Sequence, residues 1–142
     1  MSKQYADSEE LQKKILAGVN KLADNVAATL GPKGRNVILA RKDSNPIVTK
    51  DGVSVAKFID FEDPFENAAA QLIKQAAAET NNLAGDGTTT STVLARAIYC
   101  KSQKYLLAGS SPVDLKRGMD KAVKQVVKKI EEMSRPVESK ED

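Results

Sequence analysis

A short segment between two predicted helices combines the residue types that bind a metal-chelated phosphate. Residues 84–90 read Ala-Gly-Asp-Gly-Thr-Thr-Thr. Glycine permits a turn with positive φ and a close approach of the backbone to a ligand, and the N–H groups that open the following helix attract an anion. Asp86 offers the oxygen ligand that Mg²⁺ shares with phosphates. A second interpretation stays open: an ordinary Gly-Asp-Gly turn in which Thr88 caps the next helix.

Two further turn clusters stand at the ends of predicted elements. Residues 29–36 read Thr-Leu-Gly-Pro-Lys-Gly-Arg-Asn, and residues 49–54 read Thr-Lys-Asp-Gly-Val-Ser. Each cluster taken alone is explained by helix-cap or hairpin chemistry. A joint role in binding requires that the surrounding elements bring the three clusters to one place.

Four long helices are predicted to carry these clusters. The first runs from about residue 8 to 29, because its apolar residues recur every three or four positions and Gly31-Pro32 stops it. Asp7, with Glu10 three residues on, resembles a capping box at its start. The second helix begins at Asp63-Pro64 and breaks near residue 85. Its predicted inward residues are Phe65, Ala69, Leu72, Ile73, Ala76 and Ala77.

The third and fourth helices follow the threonine-rich segment. The third starts at the threonines and ends by Gly109, and the fourth starts at Ser111-Pro112, where serine is a good N-cap and proline suits the first turn. Its apolar positions continue to Met133, again three and four residues apart. The alanine density of the second helix predicts a close helix neighbour.

A small β-hairpin is predicted between the first two helices. Residues 36–40 and 46–50 are rich in β-branched and apolar residues, and the polar residues 42–45 separate them. Residues 53–59 fit a short helix or a strand, which periodicity does not settle. The predicted fold class is therefore mainly α, a bundle of long helices with a small β-hairpin.

The composition excludes several classes of function. The chain has 142 residues, of which 29% are charged and 4% aromatic, with a net charge of +3. These values argue against a nucleic-acid partner, and no stretch approaches the roughly 20 apolar residues that span a bilayer. Cys100 is the single cysteine and the chain has no histidine to activate it, so an inert thiol and a reducing, cytoplasmic compartment are expected.

The three clusters, in this order, closely resemble the N-terminal half of the nucleotide-binding equatorial domain of group I, GroEL-like chaperonins. Residues 63–67, Asp-Pro-Phe-Glu-Asn, and the later run Asp-Leu-Lys-Arg-Gly-Met-Asp-Lys-Ala-Val at 114–123 also resemble that family. The resemblance covers the chain from about residue 9 to 136. It implies an incomplete equatorial-domain-like fold, with residues 1–135 as a partial equatorial domain and residues 136–142 as a hinge or linker tail.

The resemblance also implies a role for each matching residue. ATP and Mg²⁺ would be the cofactors, with K⁺ as a further cation beside the backbone carbonyl of Thr29 or Lys50. Asp86 would be the Mg²⁺ ligand, and Asp51 the catalytic carboxylate that helps to orient the attacking water. Such roles suit phosphoryl transfer, which depends on positioning and charge neutralisation. The other implied nucleotide-binding residues are Thr29, Leu30, Gly31, Pro32, Lys50, Gly87, Thr88, Thr89 and Thr90.

The implied function is that of an ATP-binding segment of a chaperonin subunit, whose family drives protein folding in ring assemblies with ATP. Other chaperonin subunits are the implied partners. A complete subunit continues into intermediate, apical and returning equatorial parts, so we expect weak or no ATP turnover here and contact with unfolded clients only through those parts. Two alternatives stay open: a non-hydrolysing module that joins or modulates a full-length chaperonin, and an independent phosphotransferase with the same loop.

Overall fold

The computed structural model describes residues 8–41 and 44–137, and within them the chain forms five helices and one two-stranded sheet. The mainly α fold with a small hairpin, as predicted from the sequence, is confirmed. In chain order the elements are α1 (Ser8–Ala27), β1 (Val37–Arg41), β2 (Ser44–Thr49), α2 (Gly52–Phe58), α3 (Pro64–Ala84), α4 (Thr88–Leu107) and α5 (Pro112–Met133).

Local capping groups set most of the helix boundaries. The Asp63 carboxylate accepts hydrogen bonds from the first N–H groups of α3, and Gly85, in the left-handed conformation, ends that helix. The Ser111 hydroxyl caps α5 in the same way. Helix α1 ends two residues before the predicted position, because the N–H groups of Thr29 and Leu30 bond three residues back and close a tighter turn. The predicted cap Asp7 lies outside the described residues.

The predicted hairpin forms, with β1 and β2 antiparallel and Leu39 paired with Ile47. The register shifts between Leu39 and Arg41, which pairs with Ser44, so part of the predicted turn belongs to β2. Lys42 and Asp43, the rest of that turn, lie outside the described residues. Both strands of a two-stranded sheet are edge strands, which is why β2 tolerates a proline.

The undecided segment after the hairpin is a helix, α2, because Asp51 caps it. The Asp51 carboxylate accepts hydrogen bonds from the backbone N–H groups of Val53 and Ser54. Val55 and Ala56 on this helix are buried in the core. Helix α2 therefore connects the Asp51 turn rigidly to the centre of the fold.

The core lies between α1 and α3, with α2 packed against both. Leu22 and Val26 of α1 and Val55 of α2 are fully buried. The side of α3 that faces α1 consists mainly of alanines, and this confirms the close helix neighbour predicted from its composition. The prediction that Leu72 and Ala76 point inward is wrong: both are exposed, because the buried stripe runs through Ala69, Ala70, Ile73 and Ala77.

The chain divides into two compact units, Met1–Cys100 and Lys101–Asp142. In the first unit, an ion pair between Arg96 and Asp24 joins α4 to α1, and Ala95 and Tyr99 pack against the core. The second unit contains α5, none of whose residues is buried. Within the described part of the chain, no helix is long and apolar enough to cross a bilayer. The separation of residues 1–135 from a tail at 136–142 stays a prediction.

Candidate functional site

The three turn clusters meet at one cavity of about 240 Å³ in the first unit. All the residues predicted for the site line this cavity except Pro32, which is exposed and is not among the lining residues. Gly52, which the sequence interpretation did not place in the site, lines the cavity as well. The lining residues are Thr29, Leu30, Gly31, Lys50, Asp51, Gly52, Asp86, Gly87, Thr88, Thr89 and Thr90.

The first cluster is a closed loop at the C-terminus of α1. The Thr29 hydroxyl donates to the carbonyl of Val26 at 2.8 Å, and the N–H of Arg35 donates to the carbonyl of Ala28 at 2.8 Å. These two bonds fasten both ends of the loop to the last turn of a helix whose Val26 is fully buried. Leu30 and Gly31 at the tip of the loop therefore have a fixed place at the cavity.

The second cluster joins β2 to α2 through a series of short-range hydrogen bonds. The Asp51 N–H donates to the Thr49 hydroxyl at 3.0 Å. The Asp51 carboxylate accepts from the Val53 N–H at 3.1 Å, the Ser54 N–H at 2.9 Å and the Ser54 hydroxyl at 2.6 Å. The Ser54 hydroxyl is the main cause that holds the pKa of Asp51 below its ordinary value. Burial, the second-largest cause, opposes it, and the two backbone N–H groups and the charge of Lys57 lower the pKa further.

The third cluster links α3 to α4 through two glycines in the left-handed region, Gly85 with φ of 72° and Gly87 with φ of 83°. Side chains rarely adopt this conformation, so the turn needs glycine at both places. The Asp86 carboxylate accepts from the Gly87 N–H at 2.6 Å. The Gly87 carbonyl accepts from the Ser91 N–H at 2.9 Å, which is the first bond of α4.

The start of α4 therefore has glycine at the cap position. Helix α4 begins at Thr88, so Thr88 is the first helical residue and not the cap that the second sequence interpretation required. Gly87 has no side chain with which to bond the N–H groups of the first turn, and those groups have no partner within a helix. The backbone at Thr88, Thr89 and Thr90 thus offers donors, together with the positive end of the helix dipole, at the wall of the cavity.

Gly52 explains why the three clusters lie so close together. A Cβ atom at this position would overlap the Thr89 hydroxyl oxygen and would come within 3.4 Å of Val26 Cγ1. The N-terminus of α2 therefore packs directly between the end of α1 and the first turn of α4. Packing of this kind has no signature in the local sequence, which is why the sequence interpretation missed Gly52.

The charged groups of the cavity suit a metal-bound phosphate better than a metal held by protein alone. Asp51, Asp86 and Lys50 line it. Among the described residues, no three His, Cys, Asp or Glu side chains gather as a metal site would require. Mg²⁺ is commonly bound by one or two carboxylates and completes its shell with phosphate oxygens and water. Asp86, which is exposed at the cavity, fits that donor set.

Comparison with known proteins gives the family. Residues 22–142 match the model of the TCP-1/cpn60 chaperonin family, and because the match covers most of the chain, the protein belongs to this family. A crystal structure of the chaperonin gp146 from bacteriophage EL 2 (Pseudomonas aeruginosa) in the presence of ATP-BeFx is 31% identical. A crystal structure of a group III chaperonin in the open state is 30% identical.

Both solved chaperonins share the fold of this chain. The phage chaperonin aligns with a TM-score of 0.74 over 90% of this chain and 22% of its own, and the group III chaperonin with a TM-score of 0.76 over 94% and 26%. The chain thus spans about a quarter of the length of either protein.

Proposed function

We propose that this chain is the ATP-binding segment of a group I, GroEL-like chaperonin subunit and that the cavity between the three clusters binds Mg-ATP. The observation that carries the proposal is the meeting of Asp86, the first turn of α4 and the Thr29–Gly31 loop at one cavity of about 240 Å³. Family membership supports it, as does the phage relative, which was crystallised with ATP-BeFx. In this role the chain would work with other chaperonin subunits in ATP-driven protein folding.

Each wall of the cavity suits one part of the nucleotide. Asp86 would hold Mg²⁺, which supplies charge neutralisation at the phosphate oxygens when bound. The N–H and hydroxyl groups of Gly87, Thr88, Thr89 and Thr90 would hold the phosphates, because donors at a helix start favour anions. Lys50, which also lines the cavity, would add a positive charge.

The remaining residues that line the cavity would contact the rest of the nucleotide and the attacking water. Thr29, Leu30 and Gly31 would form the wall against the nucleotide, and the backbone carbonyl of Thr29 or Lys50 would be an oxygen ligand for K⁺. Asp51, whose pKa is lowered, would accept a hydrogen bond from a water molecule and orient it. Pro32 lies outside the lining, so we assign it no contact.

Mg-ATP titration by calorimetry tests the proposal. Asp86→Ala removes the metal ligand, and we expect the Kd for Mg-ATP to rise at least about tenfold. Asp120→Ala is the matched control, because Asp120 is an exposed carboxylate that pairs with Lys116 and does not line the cavity. Equal affinities in wild type and Asp86→Ala, or no binding by wild type, would contradict the proposal.

One observation favours a second candidate, a module that joins or modulates a chaperonin without hydrolysing nucleotide. Helix α5 has a stripe of exposed apolar residues, with Val123, Val126, Ile130 and Met133 all more than half exposed. A stripe of this kind marks an interaction surface. Binding to a purified chaperonin ring in size-exclusion chromatography, together with no affinity for Mg-ATP, would favour this candidate over the first.

A further inference from the structure

We propose that Ser54 is a positioning residue for Asp51: its hydroxyl fixes the Asp51 carboxylate so that Oδ1 keeps one acceptor position for the attacking water. Ser54 does not line the cavity and would touch no ligand itself. The inference deepens the proposed function and rests on it, because a carboxylate that orients water matters only where a phosphate is attacked.

The hydrogen bonds of Asp51 are distributed unequally over its two oxygens. Oδ2 accepts from both the N–H and the hydroxyl of Ser54, at 2.9 and 2.6 Å, whereas Oδ1 accepts from the Val53 N–H at 3.1 Å. A carboxylate has about four acceptor positions, two on each oxygen. Counting donors from the described residues, Oδ2 is therefore saturated, and Oδ1 retains a position for one further donor.

The Ser54 hydroxyl is the member of this set that can be removed without touching the backbone. The two N–H donors belong to the first turn of α2, and the Asp51 N–H is fixed separately by the Thr49 hydroxyl. Asp51 and Ser54 are both exposed, so water competes for the carboxylate on its open side. A short, charge-assisted O–H···O⁻ bond is strong enough to hold one orientation there.

The electrostatics agree with this geometry. Donation from Ser54 is the largest cause of the lowered pKa of Asp51, ahead of the backbone donors and of Lys57. A carboxylate with a lowered pKa is a poor proton acceptor, but in its ionised form it still accepts hydrogen bonds. Asp51 held by Ser54 thus suits the orientation of water more than the removal of its proton.

The test compares wild type with three Ser54 variants and one control variant, first without nucleotide and then in nucleotide complexes. Ser54→Ala removes the hydroxyl. Ser54→Thr and Ser54→Val form a matched pair, because threonine and valine have nearly the same shape and only threonine keeps the hydroxyl donor. Ser134→Ala is the control, because the Ser134 hydroxyl donates to a backbone carbonyl, of Glu131, outside the cavity.

The first readout is the pKa of the Asp51 carboxyl, measured by ¹³C NMR without nucleotide. We expect it to rise toward its ordinary value in Ser54→Ala and Ser54→Val, and to stay low in Ser54→Thr and Ser134→Ala. The second readout compares affinity for Mg-ADP with affinity for Mg-ADP and aluminium fluoride, which mimics the phosphate under attack. Loss of the hydroxyl should weaken only the fluoride complex, by about threefold to tenfold, the typical effect of one hydrogen bond.

The outcomes separate the inference from the proposed function. If wild type binds Mg-ADP but the Asp51 pKa is the same with and without the Ser54 hydroxyl, the inference alone is wrong. It is also wrong if both complexes weaken equally, since a general loss of structure would do that. If wild type binds neither complex, the proposed function is wrong and the inference falls with it.

Discussion

The carboxylates of Asp51 and Asp86 line the same cavity but differ in their hydrogen-bond partners. Asp51 accepts three hydrogen bonds from its own helix, and its pKa is lowered. Asp86 accepts, among the bonds of the described residues, one from the neighbouring Gly87 N–H. Asp51 is therefore part of the framework that fixes the cavity, whereas most acceptor positions of Asp86 are not used by donors of the described residues. The same residue type thus suits two roles, water orientation and metal binding, because of its local partners.

The largest expected effect that separates the two carboxylates is the dependence of ATP affinity on Mg²⁺. In wild type, removal of Mg²⁺ with EDTA should weaken ATP binding at least about tenfold, because in the proposed site Asp86 would hold the metal that neutralises the phosphates. Asp86→Ala should bind ATP weakly with or without Mg²⁺, whereas Asp51→Ala should keep the dependence. Calorimetric titration of wild type and both variants with ATP, in the presence and absence of Mg²⁺, measures this dependence. A full Mg²⁺ dependence in Asp86→Ala would assign the metal to another ligand.

The next prediction tests whether the turn at Asp51 packs against the turn at Asp86, as it does in the structure. Gly52→Ala places a methyl group against the Thr89 hydroxyl and should cost about 1–3 kcal/mol of unfolding free energy. Gly118→Ala is the matched control: no atom lies within 4 Å of its added Cβ, so this helical glycine should gain about 0.5–1 kcal/mol instead. Urea denaturation measures both. Equal effects in the two variants would show that Gly52 and Thr89 do not adjoin.

A smaller effect concerns stability alone. Asp51→Ala removes the cap of α2 and should cost about 1 kcal/mol of unfolding free energy. Asp86→Ala should change it by less than about 0.5 kcal/mol, because Asp86 is exposed and caps no helix. Denaturant midpoints at pH 7 give both values. A large loss in Asp86→Ala would mean that Asp86 belongs to the framework, as Asp51 does.

The stabilisation by Asp51 should also depend on pH in a defined direction. Because the folded-state pKa is below the ordinary 3.8, the unfolded chain binds more protons in this range, and stability rises with pH. The contribution is complete well above 3.8 and is lost as the pH falls through the lower folded-state value. The difference between wild type and Asp51→Ala should therefore shrink between pH 5 and pH 2, roughly the acid range of carboxylates. A difference that grows on acidification would contradict the lowered pKa.

The smallest expected effect involves Lys57. Its charge is the weakest of the causes that lower the pKa of Asp51, so Lys57→Ala should raise that pKa less than Ser54→Ala does. Added salt should remove most of the Lys57 effect and little of the Ser54 effect, since salt screens exposed charges but not a direct hydrogen bond. ¹³C titration of the Asp51 carboxyl at low and high salt measures this. The reverse order would make charge, not the hydroxyl, the main cause.

Much of the site follows from short-range sequence signals. Glycines, an aspartate and threonines in a row predict a phosphate-binding turn, and the resemblance names the other residues that the structure brings to the same cavity. Phosphate binding itself stays a prediction. The same reasoning could have identified Ser54, because a serine three residues after a capping aspartate can donate a hydrogen bond to that carboxylate. The missed residue was Gly52, whose importance lies in a contact with a residue far along the chain.

Helices α1 and α5 show that apolar spacing in the sequence does not predict whether the apolar residues of a helix are buried. Both carry apolar residues at helical spacing and were predicted in the same way, and the boundaries of α5 agree with its Ser111-Pro112 start. Yet the stripe of α1 includes the buried Val19, Leu22 and Val26, whereas α5 buries none of its residues.

The sequence by itself determined the helices, their caps and the chemistry of the turns, because these depend on residues a few positions apart. The tertiary structure alone decided which apolar stripe is covered and that three distant turns share one cavity. It also decided that Asp51 is held by hydrogen bonds to α2 while Asp86 lies exposed at the cavity. Those properties depend on packing between segments far apart in the chain, and local periodicity carries no information about that packing.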